Sequence, residues 1–302
     1  MFAIDPKDPA KISLVGAPVS SGGDFPVSLT ISKKTGQVCV LNGGRLNGVT
    51  CFKQDKSLGL LEIDNTQRSL NVNQTSAPNG PAGTMSHVIF SEDDTKLIAS
   101  VKGVPPQPGF LASWDVDATT GVLSQDFVKS TPSKGGLLPF GMAIIPGKNA
   151  VLATDAGVGF DIFDFSKQSG NNPASSQIFP VGGQKAVCWA AFSPKTNDFF
   201  MTDIDTGIIT EVNVDNNLNA TIIKQYPQGN GTNPIDLEVA TVGNNDFLYT
   251  MAAGRQSVLV HALPAPGKAN LIQELEFANA AKNAGLTTSV NNLQGMTAFI
   301  GQ

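Results

Sequence analysis

The sequence predicts an all-β protein: a circular array of sheets, or β-propeller, with four antiparallel strands per blade. Three observations lead to it. Five segments align with one another without gaps at spacings of 48 to 59 residues, the range of propeller blades. Charged residues make up only 15% of the 302, while Gly and Pro number 31 and 19, which suits short strands and tight turns better than solvated helices. Only Glu276 to Ala284, stopped by Gly285, reads as a helix.

The aligned segments are Thr30 to Asn42, Ile89 to Val101, Ala143 to Asp155, Ala191 to Asp203 and Val239 to Met251. Each has an apolar strand end, a polar turn and a second apolar strand, the pattern of a β-hairpin. A third strand follows, as in Leu111 to Asp117 or Phe160 to Phe165, and then a fourth, as in Ser176 to Phe179 or Ile222 to Tyr226. The expected repeats are 25–80, 81–134, 135–182, 183–230 and 231–277, within a single domain 1–302. A blade cannot bury both of its faces alone, so neighbours must stack. Met1 to Asp5 matches a third strand, Lys11 to Val15 a fourth and Gly295 to Phe299 a first, so 1–16 with 293–302 is expected to form a partial, split blade. Two explanations stand for that blade. Either a six-bladed ring closes on one thin blade, or the chain is a piece of a seven-bladed parent that lacks its signal peptide and about one N-terminal blade.

The net charge of −5 argues against a nucleic-acid partner, which needs a positive field. No apolar run reaches the ~20 residues of a membrane-spanning helix, and Met1 to Asp5 lacks the pattern of a signal peptide. Sequons at Asn73, Asn219 and Asn230 fit a secreted, glycosylated surface. Cys39 and Cys51 flank a turn centred on Arg45 and would face each other across a hairpin, within reach of a disulfide; the alternative is two buried thiols. Cys188 is left over, and burial is the ordinary state of such a residue.

Ser20-Ser-Gly-Gly-Asp-Phe-Pro26 and Val38-Cys-Val-Leu-Asn-Gly-Gly44, with the repeat pattern over essentially the whole chain, resemble the lactonase and 3-carboxymuconate cyclase propellers, in particular their secreted fungal branch. The resemblance implies a seven-bladed type of fold. It also implies a His and an Arg on the channel-lining first strands, with further cations and acids near the second-strand ends. Such a ring holds a carboxylate and assists lactone opening or closure. Here the ring positions read Val27, Ser86, Phe140, Cys188 and Asp236, with neither His nor Arg.

The second strands end at Asn42, Val101, Asp155, Asp203 and Met251, and the nearby cations Arg45, Lys102 and Arg255 lie in loops. Candidate ligand-binding residues are therefore Asp24, Arg45, Ser86, Lys102, Phe140, Asp155, Cys188, Trp189, Asp203 and Asp236. His87 and Arg255 are the candidates for catalysis. His87 stands one residue out of step with the ring and should point to the other face. Asp at strand ends ordinarily caps turns, so no metal or cofactor is expected. Two functions follow. One is a secreted propeller without the family's catalytic ring, holding a small ligand or partner at the channel mouth. The other is an active lactonase or muconate-lactonising cyclase. A surface antigen is a third, weaker reading.

Overall fold

The computed structural model describes residues 1–300; the last two residues of the expected split blade, 301 and 302, lie outside the described residues. Two short strands, β1 (Phe2–Ile4) and β2 (Ile12–Leu14), form a hairpin. The first blade holds β3 (Phe25–Ile31), β4 (Val38–Gly43), β5 (Gly48–Asp55), β6 (Gly59–Glu62) and β7 (Arg68–Ser69). Here β6 and β7 pair in succession with one edge of β5, as a fourth strand broken in two. The second holds β8 (Met85–Phe90), β9 (Lys96–Val101), β10 (Phe110–Asp115) and β11 (Val128–Ser130). The third holds β12 (Pro139–Ile145), β13 (Ala150–Asp155), β14 (Gly159–Asp164) and β15 (Ser175–Pro180). The fourth holds β16 (Val187–Ser193), β17 (Asp198–Asp203), β18 (Ile208–Val214) and β19 (Ala220–Pro227). The fifth holds β20 (Pro234–Val242), β21 (Asn245–Ala252), β22 (Ser257–Leu263) and β23 (Asn270–Glu276), followed by helix α1 (Ala278–Asn283). The propeller expectation holds: five blades, each an antiparallel meander, with the first strands side by side in the order β3, β8, β12, β16, β20.

Each seam between blades has its own apolar core. Leu41 and Cys51 meet Val88 and Leu97 at the first seam, and Ile98 and Leu111 meet Val151 and Phe163 at the second. Leu152 and Phe160 meet Phe199 and Met201 at the third, and Phe200 and Ile209 meet Leu237 and Leu248 at the fourth. A blade stacked on both sides buries both faces, so β13 and β17 are buried at every residue. The ends of the array differ. Strand β21 is buried only at alternate residues, leaving Phe247, Tyr249 and Met251 half-exposed, and on β3 Leu29 and Ile31 are exposed.

The split blade is not formed as expected. The pair β1–β2 is there, but Gly295 to Phe299 carries no strand. Met296 donates its backbone N–H to Asp236 Oδ2 at 2.7 Å, so this segment meets the start of β20 and does not pair with β1.

The paired cysteines are as expected. Cys39 and Cys51 face each other in register and form a disulfide, and Cys188 is a free, buried thiol. The bridge closes a loop of 12-residue separation, for which loop-closure entropy gives about 2–3 kcal/mol. A Cys39→Ala/Cys51→Ala chain is expected to lose that amount in a urea melt, and reductant to destabilise only the wild type. Equal stability of the two chains would mean that the hairpin register alone suffices.

Every first strand has a register shift near its start, and this feature positions the site. In blades two to four the shift spans Met85/Val88, Pro139/Met142 and Val187/Ala190. A hydroxyl from the second strand fills each bulge. Ser100, Thr154 and Thr202 accept the backbone N–H of His87, Gly141 and Trp189 at 3.1, 2.9 and 3.2 Å. Ser100 and Thr154 also donate across the seam to the carbonyls of Phe140 (2.7 Å) and Cys188 (2.6 Å).

The fifth blade departs from the repeat alignment. Its bulge, between Pro234 and Asp236, is as short as the Pro26/Ser28 bulge of the first blade, but it lies farther from the hairpin turn than the bulge of any other blade. Between bulge and turn its side chains therefore change faces relative to the other blades. The start of the first strand lies opposite Val101, Asp155 and Asp203 in blades two to four, but opposite Ala252, not Met251, in the fifth. The position matching Ser86, Phe140 and Cys188 is thus Ile235, and Asp236 takes the place of His87, Gly141 and Trp189.

Candidate functional site

The starts of the first strands and the loops between second and third strands make one face of the array, here the upper. The turns joining first to second strands make the lower. At the upper end of the central channel five predicted residues converge. Lys102, just past β9, is only 8% exposed. Its Nζ donates to Ser86 Oγ at 2.6 Å and lies 4.1 Å from the centre of the Phe140 ring. No carboxylate pairs with it among the described residues. Burial lowers its ammonium to about 8, because the charged form loses solvation there. Cys188 lies close enough to feel that charge; burial nevertheless raises its thiol to about 12, so it stays protonated. Asp236 accepts the N–H groups of Leu237 and Met296, both at 2.7 Å, and burial raises its carboxyl to about 7.

Below this cluster Trp189 crosses the channel. Its ring centre lies 5.5 Å from that of Phe140, in an edge-to-face arrangement, and 4.5 Å from that of His87. Gly141 makes room for it: a Cβ there would stand 2.8 Å from the Cys188 carbonyl oxygen and 3.1 Å from a Trp189 ring carbon. His87 accepts the Met142 N–H at Nδ1 (3.0 Å), which puts the ring proton on Nε2. Burial lowers its pKa to about 4. The ring is half-buried by area, and it lines the cavity below Trp189.

The remaining candidates are occupied elsewhere. Asp24 caps the β4–β5 turn through the N–H groups of Arg45 and Leu46 and accepts the Ser76 hydroxyl; these bonds, led by Ser76, hold its carboxyl below the usual value. The Arg45 side chain is exposed. Asp155 accepts Leu137, Leu138 and Gly157 N–H groups, and Asp203 those of Lys185, Ala186, Asp205 and Thr206. Both carboxylates thereby fix the loops leading into β12 and β16. Arg255 bonds the Gln228 carbonyl and approaches Glu274 on the outermost strand β23 at 3.5 Å, so it sits at the rim and does not join His87.

Sequence reasoning passed over Gly141, Glu238 and Asp161, the buried neighbour of Asp155. Of these only Glu238 gave a signal, as a lone carboxylate within the apolar strand Leu237 to Val242.

No family model matches the sequence, and no curated protein matches it. Solved structures do. The periplasmic gluconolactonase PpgL of Pseudomonas aeruginosa superposes with a TM-score of 0.69 at 15% identity, over 91% of this chain and 78% of that one. A protein of Bacteroides uniformis assigned as a 6-phosphogluconolactonase gives 0.53 at 18% identity, over 76% and 64%. A chain of a nidogen/laminin complex gives 0.52 at 11% identity, over 83% and 80%. At such identities the likeness establishes the fold, a propeller like those of lactonases, and leaves the activity open, since one fold hosts many functions.

Proposed function

We propose that this chain is a secreted, lactonase-like propeller that holds a small carboxylate-bearing molecule at the upper channel mouth and does not turn it over. One observation carries the reading: Lys102 presents a buried ammonium with no counter-ion among the described residues, beside the Ser86 hydroxyl and the Phe140 ring. An unpaired buried cation is costly, and an anionic ligand offsets that cost through a charge-assisted hydrogen bond. The ring has neither the His nor the Arg that the family resemblance implies, and His87 and Arg255 stand apart, which argues against the family's own chemistry. The disulfide and the exposed Asn73, Asn219 and Asn230 favour an extracellular setting. Among the described residues no helix is long and apolar enough to cross a membrane.

Calorimetric titration with gluconate and carboxymuconate tests the proposal. Lys102→Met is expected to weaken binding about 10- to 100-fold, the worth of one charged hydrogen bond. Unchanged affinity in the variant would remove the site. The lowered Lys102 also suits a general base or nucleophile, which favours lactone hydrolysis as the second reading. Acid release from glucono-lactone that disappears in Lys102→Met would establish it over the binding reading.

A further inference from the structure

The lower half of the channel differs in chemistry from the upper. Beneath Trp189 it widens into a cavity of about 620 Å³, open between the first-hairpin turns, within the size range of small-molecule sites. Its walls include Met142, Ile144, Trp189, Phe192 and Leu237, with His87 at its inner end. Into this lining β20 sets Glu238. Among the described residues no side chain or backbone group donates to its carboxylate, and none of the ion pairs includes it. Burial raises its pKa, the mark of a carboxylate losing solvation without compensation. Around the rim stand Glu92 and Asp94, against one exposed cation, Lys33.

We propose that this lower cavity is a binding site for a small organic ammonium ion, with Glu238 as its counter-ion and Trp189 and Phe192 as its aromatic walls. A cation supplies the partner that Glu238 lacks, and aromatic rings attract cations through their electron-rich faces, most effectively when desolvated. An anion would meet Glu238, Glu92 and Asp94 together. An uncharged guest would fill the space but leave the carboxylate unpaired. His87, the titratable group at the inner end of the cavity, does not compete: its Nδ1 is taken by the Met142 N–H, so near neutral pH the ring carries no positive charge. The site is independent of the Lys102 mouth and opposite to it in charge preference.

The probes are choline, benzyltrimethylammonium and, as an uncharged isostere of choline, 3,3-dimethylbutan-1-ol. Each is titrated calorimetrically and by tryptophan fluorescence near neutral pH. Trp114 is fully buried in the core of the first seam, so Trp189 is the indole placed to respond. Choline is expected to saturate below about 10 mM and to bind at least about tenfold more tightly than the alcohol. The isosteric Glu238→Gln is expected to remove about the same factor, and Glu238→Lys to abolish binding. Equal affinity for the alcohol, unchanged affinity in Glu238→Gln, or no saturation by either cation would overturn the proposal. If Glu238→Gln lowers the melting temperature, the contrast between choline and the alcohol on the wild type decides alone.

Discussion

Glu211→Ala is expected to cost about 3–5 kcal/mol, because it leaves buried hydrogen-bond donors without an acceptor. Glu211 is fully buried on β18. One of its oxygens accepts the Tyr226 hydroxyl at 2.5 Å, and both accept the Gly267 N–H, at 3.0 and 3.1 Å. Gly267 belongs to the β22–β23 loop, so this carboxylate ties the fourth blade to the fifth. Removing it strands the phenol and the backbone N–H in a place water does not reach, and opens a void at the seam. Glu211→Gln keeps one acceptor and should lose about half as much. Midpoints of urea unfolding measure both. An Ala variant within about 1 kcal/mol of the wild type would mean that water replaces the carboxylate there.

Asp161→Asn is expected to flatten the loss of stability between pH 7 and 8. Asp161 is fully buried on β14, and neither carboxyl oxygen has a partner at hydrogen-bond geometry. Burial, then the charge of Asp155, raises its pKa to about 8. A proton on Asp161 removes its charge from this buried place beside Asp155. Asp236, near 7, and Asp198, near 6, are raised too, by burial first. The folded chain thus holds protons that the unfolded chain releases near pH 4. Their stabilisation is complete below that value and is lost as pH rises through 6 to 8.

The histidines act in the opposite sense. His87 and His261, both lowered to about 4 by burial, contribute fully above pH 6.5 and lose that contribution as pH falls toward 4. Lys102, lowered to about 8, matters only at higher pH. From 6.5 to 8 the carboxyls act alone, at about 1.4 kcal/mol per pH unit for each proton involved. Thermal melts across this range should show the wild type weakening and Asp161→Asn nearly level above pH 7. A variant with the wild-type slope would place the proton elsewhere.

The repeats were legible because a stacked sheet needs apolar residues on both faces and polar residues in its turns, and both show in the aligned segments. The Cys39–Cys51 pair was legible because a hairpin fixes cross-strand partners. Ser86, Phe140 and Cys188 were found by counting back from strand ends, and Lys102 as the cation beside a second-strand end; the count works wherever the bulge keeps its usual distance from the hairpin turn. It missed by one residue at Asp236, where the bulge lies farther from the turn. Asp155 and Asp203 looked like ligands because sequence shows the carboxylate and not the loop N–H groups that occupy it. Asp161 and Glu211 are hidden for a related reason: their partners, Asp155 and Gly267, come from other strands or another blade.

The displaced bulge of the fifth blade has a practical consequence for engineering. Anyone grafting a cation or an imidazole onto this rim by lining up the repeats would choose Asp236 as the counterpart of Ser86 and Cys188. The new group would land one step too deep, beside the indole septum. Ile235 is the address that sequence alignment conceals.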